Sequence, residues 1–480
     1  MILVFVFGYM AIALEHPIKI DKAASALLTG VLVWSVYVFG AGEILNIDMT
    51  WSIPELKEYA QGLIASADTH WHNLGHFIDG SYEYRGGETT ELVIGHYINH
   101  ELLHHLSEIA SILFFLLGAM TIVELIDGHE GFAVVTDRIK STNRVKLLWI
   151  ICVLTFFFSA ALDNLTTAIV MAALLKKIIK GKEDLMLFGG MVVISANAGG
   201  AWSPIGDVTT IMLWIGGQIT AGTIIQTLII PSLVCMIIPL IVLSFTAKGN
   251  IESRLGMVEK EHLINPTSNK ERNLIFFLGL ACLLFVPVFK NITHLPPFMG
   301  ILLGLGVLWL VTEVIHREKN HEEKSEKSVI GALKKVDTPS VFFFMGILAA
   351  VAGLQSAGHL VELATFLEEK IGNIYAINLV IGVLSSIVDN VPLVAGAMGM
   401  YDIAIPGTEA YLAGYGQDGE FWKFLAYCAG TGGSCLIIGS AAGVAIMGIL
   451  KIDFIWYLKK ISFLALIGYL AGAGVYLLMF

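Results

Sequence analysis

The chain carries repeated runs of about 18 or more mostly apolar residues, each long enough to cross the hydrocarbon of a bilayer as a helix. In lipid only helices and closed barrels satisfy every backbone polar group, and barrel strands alternate polar with apolar, which these runs do not. With 480 residues, 56% apolar and 14% charged, and a mean hydropathy of +0.76, a water-soluble fold would expose far too much hydrocarbon. The predicted fold class is an all-α polytopic membrane protein. A net charge of −11 and a pI near 5.7 argue against nucleic acid as a partner. The five cysteines, Cys152, Cys235, Cys282, Cys428 and Cys435, all fall in apolar stretches and are read as packing residues. Residues 1–14 lack a basic leader region and are read as a span, not a cleaved signal.

Two Asp-Asn pairs interrupt these apolar stretches, in Leu162-Asp163-Asn164-Leu165-Thr166-Thr167 and in Val388-Asp389-Asn390-Val391-Pro392-Leu393. Each is followed by a Gly-rich, hydroxyl-bearing break. The first runs from Ser195 through Asn197, Gly199, Gly200, Ser203, Pro204 and Gly206 to Asp207, and the second from Thr431 through Gly432, Gly433, Ser434 and Gly439 to Ser440. Gly-Gly followed by another Gly six positions on occurs in both, so the pattern is an internal duplication. A carboxylate at the bilayer centre costs roughly 2.5–3.5 kcal/mol or more. Making that choice twice, beside paired helix breaks, predicts an ion or substrate site shared by two repeats.

Orientation follows from the basic residues, which collect on the cytoplasmic side. Spans are expected at about 1–14 and 23–40, joined through Lys19 and Lys22, with the acidic segment 41–101 outside. A span at 105–126 leads to the loop of Arg138, Lys140, Arg144 and Lys146, and residues 147–175 are predicted to form a re-entrant hairpin of two half-length helices. A broken span (185–217) and a span (222–246) complete a first repeat, 1–246. After a cytoplasmic linker, 247–272, the second repeat, 273–480, is expected to run the same order inverted. Its spans are placed at 273–290, 297–315 and 340–357, its hairpin around Asp389 between the outer stretches 358–373 and 401–420, its broken span at 421–450 and its last span at 461–479.

Helix breaks expose carbonyls without partners in the helix, and these carry partial negative charge. Together with carboxylate, amide and hydroxyl oxygens they form the all-oxygen shell that hard cations prefer. The candidate ligands are Asp163, Asn164, Thr166, Ser195, Asn197 and Asp207 from one half and Ser386, Asp389, Asn390, Thr431, Ser434 and Ser440 from the other. Asp163 and Asp389 are taken as the principal charged groups. A cation and a proton would compete for the same buried carboxylate oxygens. The competing reading is that an Asp-Asn pair simply caps an interrupted helix.

The two Asp-Asn tips, the Ser-Ala-Asn-Ala-Gly-Gly-Ala-Trp-Ser-Pro-Ile-Gly-Asp break and Gly-Thr-Gly-Gly-Ser together resemble the NhaD-type sodium/proton antiporters of the ion transporter superfamily. The resemblance covers nearly the whole chain. It implies inverted repeats of about five spans plus a hairpin, transport elements at 145–217 and 375–450, a homodimer, and elevator-type exchange of Na+ or Li+ for H+ across the bacterial inner membrane. It implies no cofactor. Relatives that carry carboxylates on Na+ show Ser-Asn-Thr at both tips. Here Asp163 and Asp389 take the Ser position and Leu165 or Val391 the Thr position, which favours a cation over a Na+-coupled anion symporter.

A rival signature lies at His100-Glu101-Leu102-Leu103-His104, which matches the zinc-peptidase pattern H-E-x-x-H. A peptidase needs a third ligand and an open coordination position, and the sequence names no third ligand. His96, His100 and His104 share a helical face, with His105 beside them and His70, His72 and His76 upstream. They are candidates for a metal or pH-sensing cluster, against the plainer reading of an amphipathic surface helix.

Overall fold

The computed structural model describes residues 1–13, 15–41, 88–136, 138–139, 141–252, 267–317 and 327–480. The helices longer than one or two turns, in chain order, begin with α1 (Ile2–Ala13), α2 (Lys22–Phe39), α3 (Glu88–Gly128), α4 (Arg144–Leu162), α5 (Asn164–Ile178) and α6 (Lys182–Ala201). They continue with α7 (Val208–Ile215), α8 (Ala221–Thr246), α9 (Asn269–Thr293), α10 (Pro297–Ile315), α11 (Thr338–Ser356) and α12 (His359–Lys370). The last are α13 (Ile374–Leu384), α14 (Asn390–Met400), α15 (Glu420–Gly432), α16 (Ala441–Leu450), α17 (Phe454–Lys460) and α18 (Ser462–Met479). Among the described residues the only strand-like pairings are two isolated bridges, Asn143 with Asn250 and Ala404 with Gly416. Nine described helices are long and apolar enough to cross a membrane. Large apolar side chains such as Phe39 (91% exposed), Val314 (74%) and Phe245 (73%) point outward, which suits hydrocarbon and not water. The chain is a multi-pass membrane protein.

The chain divides into two units. The first comprises Met1–Ala110 and Phe342–Thr365. Within it α2 and α11 meet where Gly30 faces Gly346, and no Cβ would fit between the backbones. Trp34 Nε1 then donates to the Ala349 carbonyl (2.8 Å) and the Tyr37 hydroxyl to that of Ser356 (3.0 Å).

The second unit comprises Ser111–Val341 and Phe366–Phe480 and holds both interrupted segments. In α8, Pro231 and Pro239 cannot donate to the preceding turn, and α18 packs there through Gly468 and Gly472, which approach the Cys235 and Pro231 carbonyls. The basic ends of α4 and α6 are fastened by an Arg144–Asp184 ion pair. At the start of α8, Asp418 accepts from the Thr220 amide (2.7 Å) and hydroxyl (2.9 Å).

Four features differ from the sequence expectation. Helix α3 runs unbroken from Glu88, well before the span expected at 105, and the stretch expected as an outer loop at 358–373 contains α12. The first hairpin is not built of two half-length arms: α4 has 19 residues and is long enough to span, whereas α13, its counterpart before the second Asp-Asn, has 11. Counterparts α6 and α15 show the same inequality, 20 residues against 13. At 1.5 Å per residue, α4 runs about 28 Å to its tip and α13 about 16 Å. The first tip is therefore reached by a longer helix than the second. Finally, α17 turns 115° away from α16 across residues 451–453, which lays Lys459 and Lys460 at the basic end.

Candidate functional site

Asp207 sits at the break between α6 and α7, extended (φ −148°, ψ 148°) and 1% exposed. One carboxylate oxygen, Oδ1, caps α7 by accepting from the Thr209 amide (2.9 Å) and hydroxyl (2.8 Å). Asn164 Nδ2 donates to the other oxygen, and Asn390 Nδ2 donates to both at 3.3 Å. Asn164 Nδ2 also reaches Asn197 Oδ1 (3.2 Å), and Asn197 Nδ2 donates to the hydroxyls of Ser434 (3.0 Å) and Ser440 (2.9 Å). Six of the predicted residues from the two halves thus form one buried network.

The same local packing builds both halves of the site. A Cβ on Gly199 would strike the Phe156 carbonyl, and one on Gly432 would strike the Gly382 carbonyl. Gly200 lies against the Gly206 carbonyl as Gly433 lies against that of Gly439. Ser159 donates to the Ala196 carbonyl (2.5 Å) and Ser385 to that of Ala429 (2.8 Å). Ser440 (φ −148°, ψ 152°) caps α16 in the backbone conformation with which Asp207 caps α7. The frames match and the chemistry does not: one cap is a carboxylate, the other a hydroxyl.

Four helices, α4, α6, α13 and α15, end at this site, and four, α5, α7, α14 and α16, begin there. The beginnings are capped by Asp163, Asp207, Asp389 and Ser440, so their amide poles are already engaged. The ends leave carbonyl poles, which favour a cation.

The remaining predicted residues are arranged differently. Asp163 (φ 81°, ψ 160°, 8% exposed) accepts from the Thr166 amide and hydroxyl, both at 2.8 Å. Asp389 is half-buried and caps the Val391 amide at 3.2 Å. Asp207 is the carboxylate that receives side-chain amides from both halves, Asn164 and Asn390. Ser386 and Thr431 donate to carbonyls of their own helical turns, Val383 (2.7 Å) and Tyr427 (2.6 Å). Ser195 is buried beside Cys152, on the side of α6 facing α4, apart from the network. Two hydroxyls outside the predicted set belong near it. Thr209 bonds Asp207 directly, and Thr167 is fully buried with its Oγ1 unpartnered. Thr167 lies three residues after Asn164, on the same helical face, a spacing visible in sequence.

His100 and His104 project from α3 with side chains 58% and 60% exposed, each near a glutamate, Glu101 (3.8 Å) and Glu108 (3.7 Å). The side chain of His96 and all of His70, His72 and His76 lie outside the described residues. Among those described, no third ligand joins His100 and His104 in a metal-sized cluster.

Residues 9–413 match the citrate transporter family, CitMHS. The chain belongs to this family. It is 43% identical over 477 residues to sodium/proton antiporter 1 of Arabidopsis thaliana, covering 99% of this chain and 72% of that one. It is 47% identical over 377 residues to sodium/proton antiporter 2 of the same plant, with 78% and 87% covered. It is also 30% identical over 400 residues to the Na(+)/H(+) antiporter NhaD of Alkalimonas amylolytica, with 78% of each chain covered. These relatives are named as transporters and none as an enzyme, so CitMHS membership removes the peptidase reading of Glu101.

Proposed function

We propose that this chain is a secondary antiporter exchanging Na+ or Li+ for H+. The observation that carries the reading is the Asp207 carboxylate, buried at a helix break and held by amides from both halves of the chain. Rotation of Asn164 or Asn390 about its amide presents an oxygen where the NH2 group now lies. With Asp207, the Asn197 amide and the hydroxyls of Thr209, Ser434 and Ser440, this gives a hard cation an oxygen shell. A proton on Asp207 removes the charge that binds the cation, so the two cannot share the site, which is the requirement for exchange.

The family description names citrate, and a Na+-coupled anion symporter is the second reading. Among the described residues, none of the bonds to Asp207, Asn164 or Asn197 comes from Lys, Arg or His. Three carboxylates near one another would repel a polyanion.

The matched frames around Gly199 and Gly432 support two repeats, and the positions of the basic connections support their inverted orientation. In this reading 145–217 and 375–450 move together as an elevator-type element, in a homodimer in the bacterial inner membrane, with basic loops cytoplasmic. The test is reconstitution in proteoliposomes with a pH-sensitive dye. Na+ or Li+ alone should drive proton movement, and Asp207→Asn should reduce it to the protein-free level. Undiminished flux in that variant, or flux only when citrate is added, would overturn the reading.

A further inference from the structure

We propose that His129, Glu271 and His316 form a binding site for a divalent transition-metal ion of the Zn2+ class, separate from the Asp207 site. His129 follows the last residue of α3, His316 caps the end of α10, and Glu271 lies in the first turn of α9. Their side chains are 0%, 1% and 9% exposed. The His129 and His316 Nε2 atoms are 3.2 Å apart, and Glu271 Oε1 lies 3.0 Å from His316 Nε2 and 3.8 Å from His129 Nε2. A tetrahedral ion with bonds of about 2.0–2.1 Å sets its ligand atoms about 3.3 Å apart. The three separations bracket that value. The ring planes are 6° apart with centroids 5.1 Å apart, farther than the Nε2 atoms, so both rings turn their Nε2 edges toward a common point.

The protonation pattern suits a ligand. His129 Nδ1 lies 2.6 Å from the Leu125 carbonyl, which accepts only from an N–H, so the neutral ring carries its proton there. Its Nε2 lone pair then faces the other two ligand atoms, and a backbone carbonyl on the far nitrogen is the partner that orients metal-bound histidines. His316 Nε2 faces both His129 Nε2 and Glu271 Oε1. One divalent cation engages all three. Two imidazoles and a carboxylate select zinc and its neighbours over Mg2+ or Ca2+, and three protein ligands leave a fourth position for water. Lys327, which donates to Thr267 Oγ1 (2.8 Å), adds positive charge nearby. Glu271 and the C-terminal poles of α3 and α10 offset it. An ion here would fasten α3, α9 and α10 at one end.

The full-length protein, stripped with chelator in detergent, would be titrated with Zn2+ and with Co2+ as a spectroscopic probe. We expect one equivalent per chain, a tetrahedral Co2+ band and a rise in melting temperature with metal. Glu271→Gln, which keeps the side chain's shape, and the double variant His129→Gln/His316→Gln should each weaken binding at least about tenfold and abolish the band. His100→Ala/His104→Ala should leave both unchanged. Absence of stoichiometric binding, or binding retained by the buried-site variants and lost with His100 and His104, would overturn the assignment. A melting temperature measured without metal separates a misfolded variant from one that has lost only its ligands.

Discussion

Asn390 donates to both carboxylate oxygens of Asp207 at 3.3 Å, although the two residues lie 183 positions apart. The second half of the chain thus completes the environment of a carboxylate supplied by the first. Asn390→Ala should therefore lower apparent cation affinity without removing the charge. We expect a rise of about tenfold in the half-saturating Na+ concentration, the equivalent of about 1.4 kcal/mol and within the range for a hydrogen bond to a charged group. Initial rates of dye response against Na+ concentration read this directly, and an unchanged half-saturation would remove Asn390 from the site.

Asp163 separates charge from conformation. Its φ of 81° and ψ of 160° belong to a region that side chains avoid at a cost of about 1–3 kcal/mol, yet it also caps α5. Asp163→Asn keeps a capping oxygen and should fold normally while losing cation-driven proton flux. Asp163→Gly should melt no lower than Asp163→Ala, because glycine relieves the strain that alanine keeps. Thermal unfolding in detergent compares the two.

The matched glycines predict matched losses. Gly199→Ala and Gly432→Ala each drive a methyl group into a backbone carbonyl that cannot step aside, and each should destabilise by about 1–3 kcal/mol or more. Gly448→Ala and Gly474→Ala meet nothing within 4 Å and should be neutral or slightly stabilising. Melting temperatures of the four variants should fall into these two pairs.

Lys290 tests the relation between α9 and the broken span. Its ammonium donates to the Trp214 carbonyl at the end of α7 (2.8 Å) and lies 4.7 Å over the Trp214 ring. A hydrogen bond to a charged group contributes about 1.5–3 kcal/mol. If α7 moves past α9 during exchange, Lys290→Met should raise the initial rate at saturating Na+ severalfold and leave the half-saturating concentration unchanged. A change confined to the half-saturating concentration would place Lys290 at the ion site instead.

The interrupted apolar stretches were legible because a charge in hydrocarbon is costly and conspicuous, and Asn164, Asn197, Asp207, Asn390, Ser434 and Ser440 do converge. Sequence could not rank the carboxylates. Whether Asp163 or Asp207 is central depends on which half-helices face each other, and that is decided by glycine packing between distant segments. Nor could it separate Ser434, which meets Asn197, from Thr431, three residues earlier, which bonds its own helix. The His129–Glu271–His316 cluster was invisible for a simpler reason: the two histidines are 187 positions apart and share no motif. The His100–His104 pair is conspicuous because its spacing fits one helix, but spacing says nothing about exposure.

The unequal arms of the two halves carry an electrical consequence. A unit charge crossing a whole membrane exchanges about 2.3 kcal/mol per 100 mV with the potential. In the proposed antiporter, with α4 about 28 Å long and α13 about 16 Å, an ion at Asp207 would have the longer path, and with it more of the voltage drop, on the side of the basic ends. Loading from the short side should respond weakly to membrane voltage, and the step that delivers the ion toward Arg144 and Lys182 should respond most.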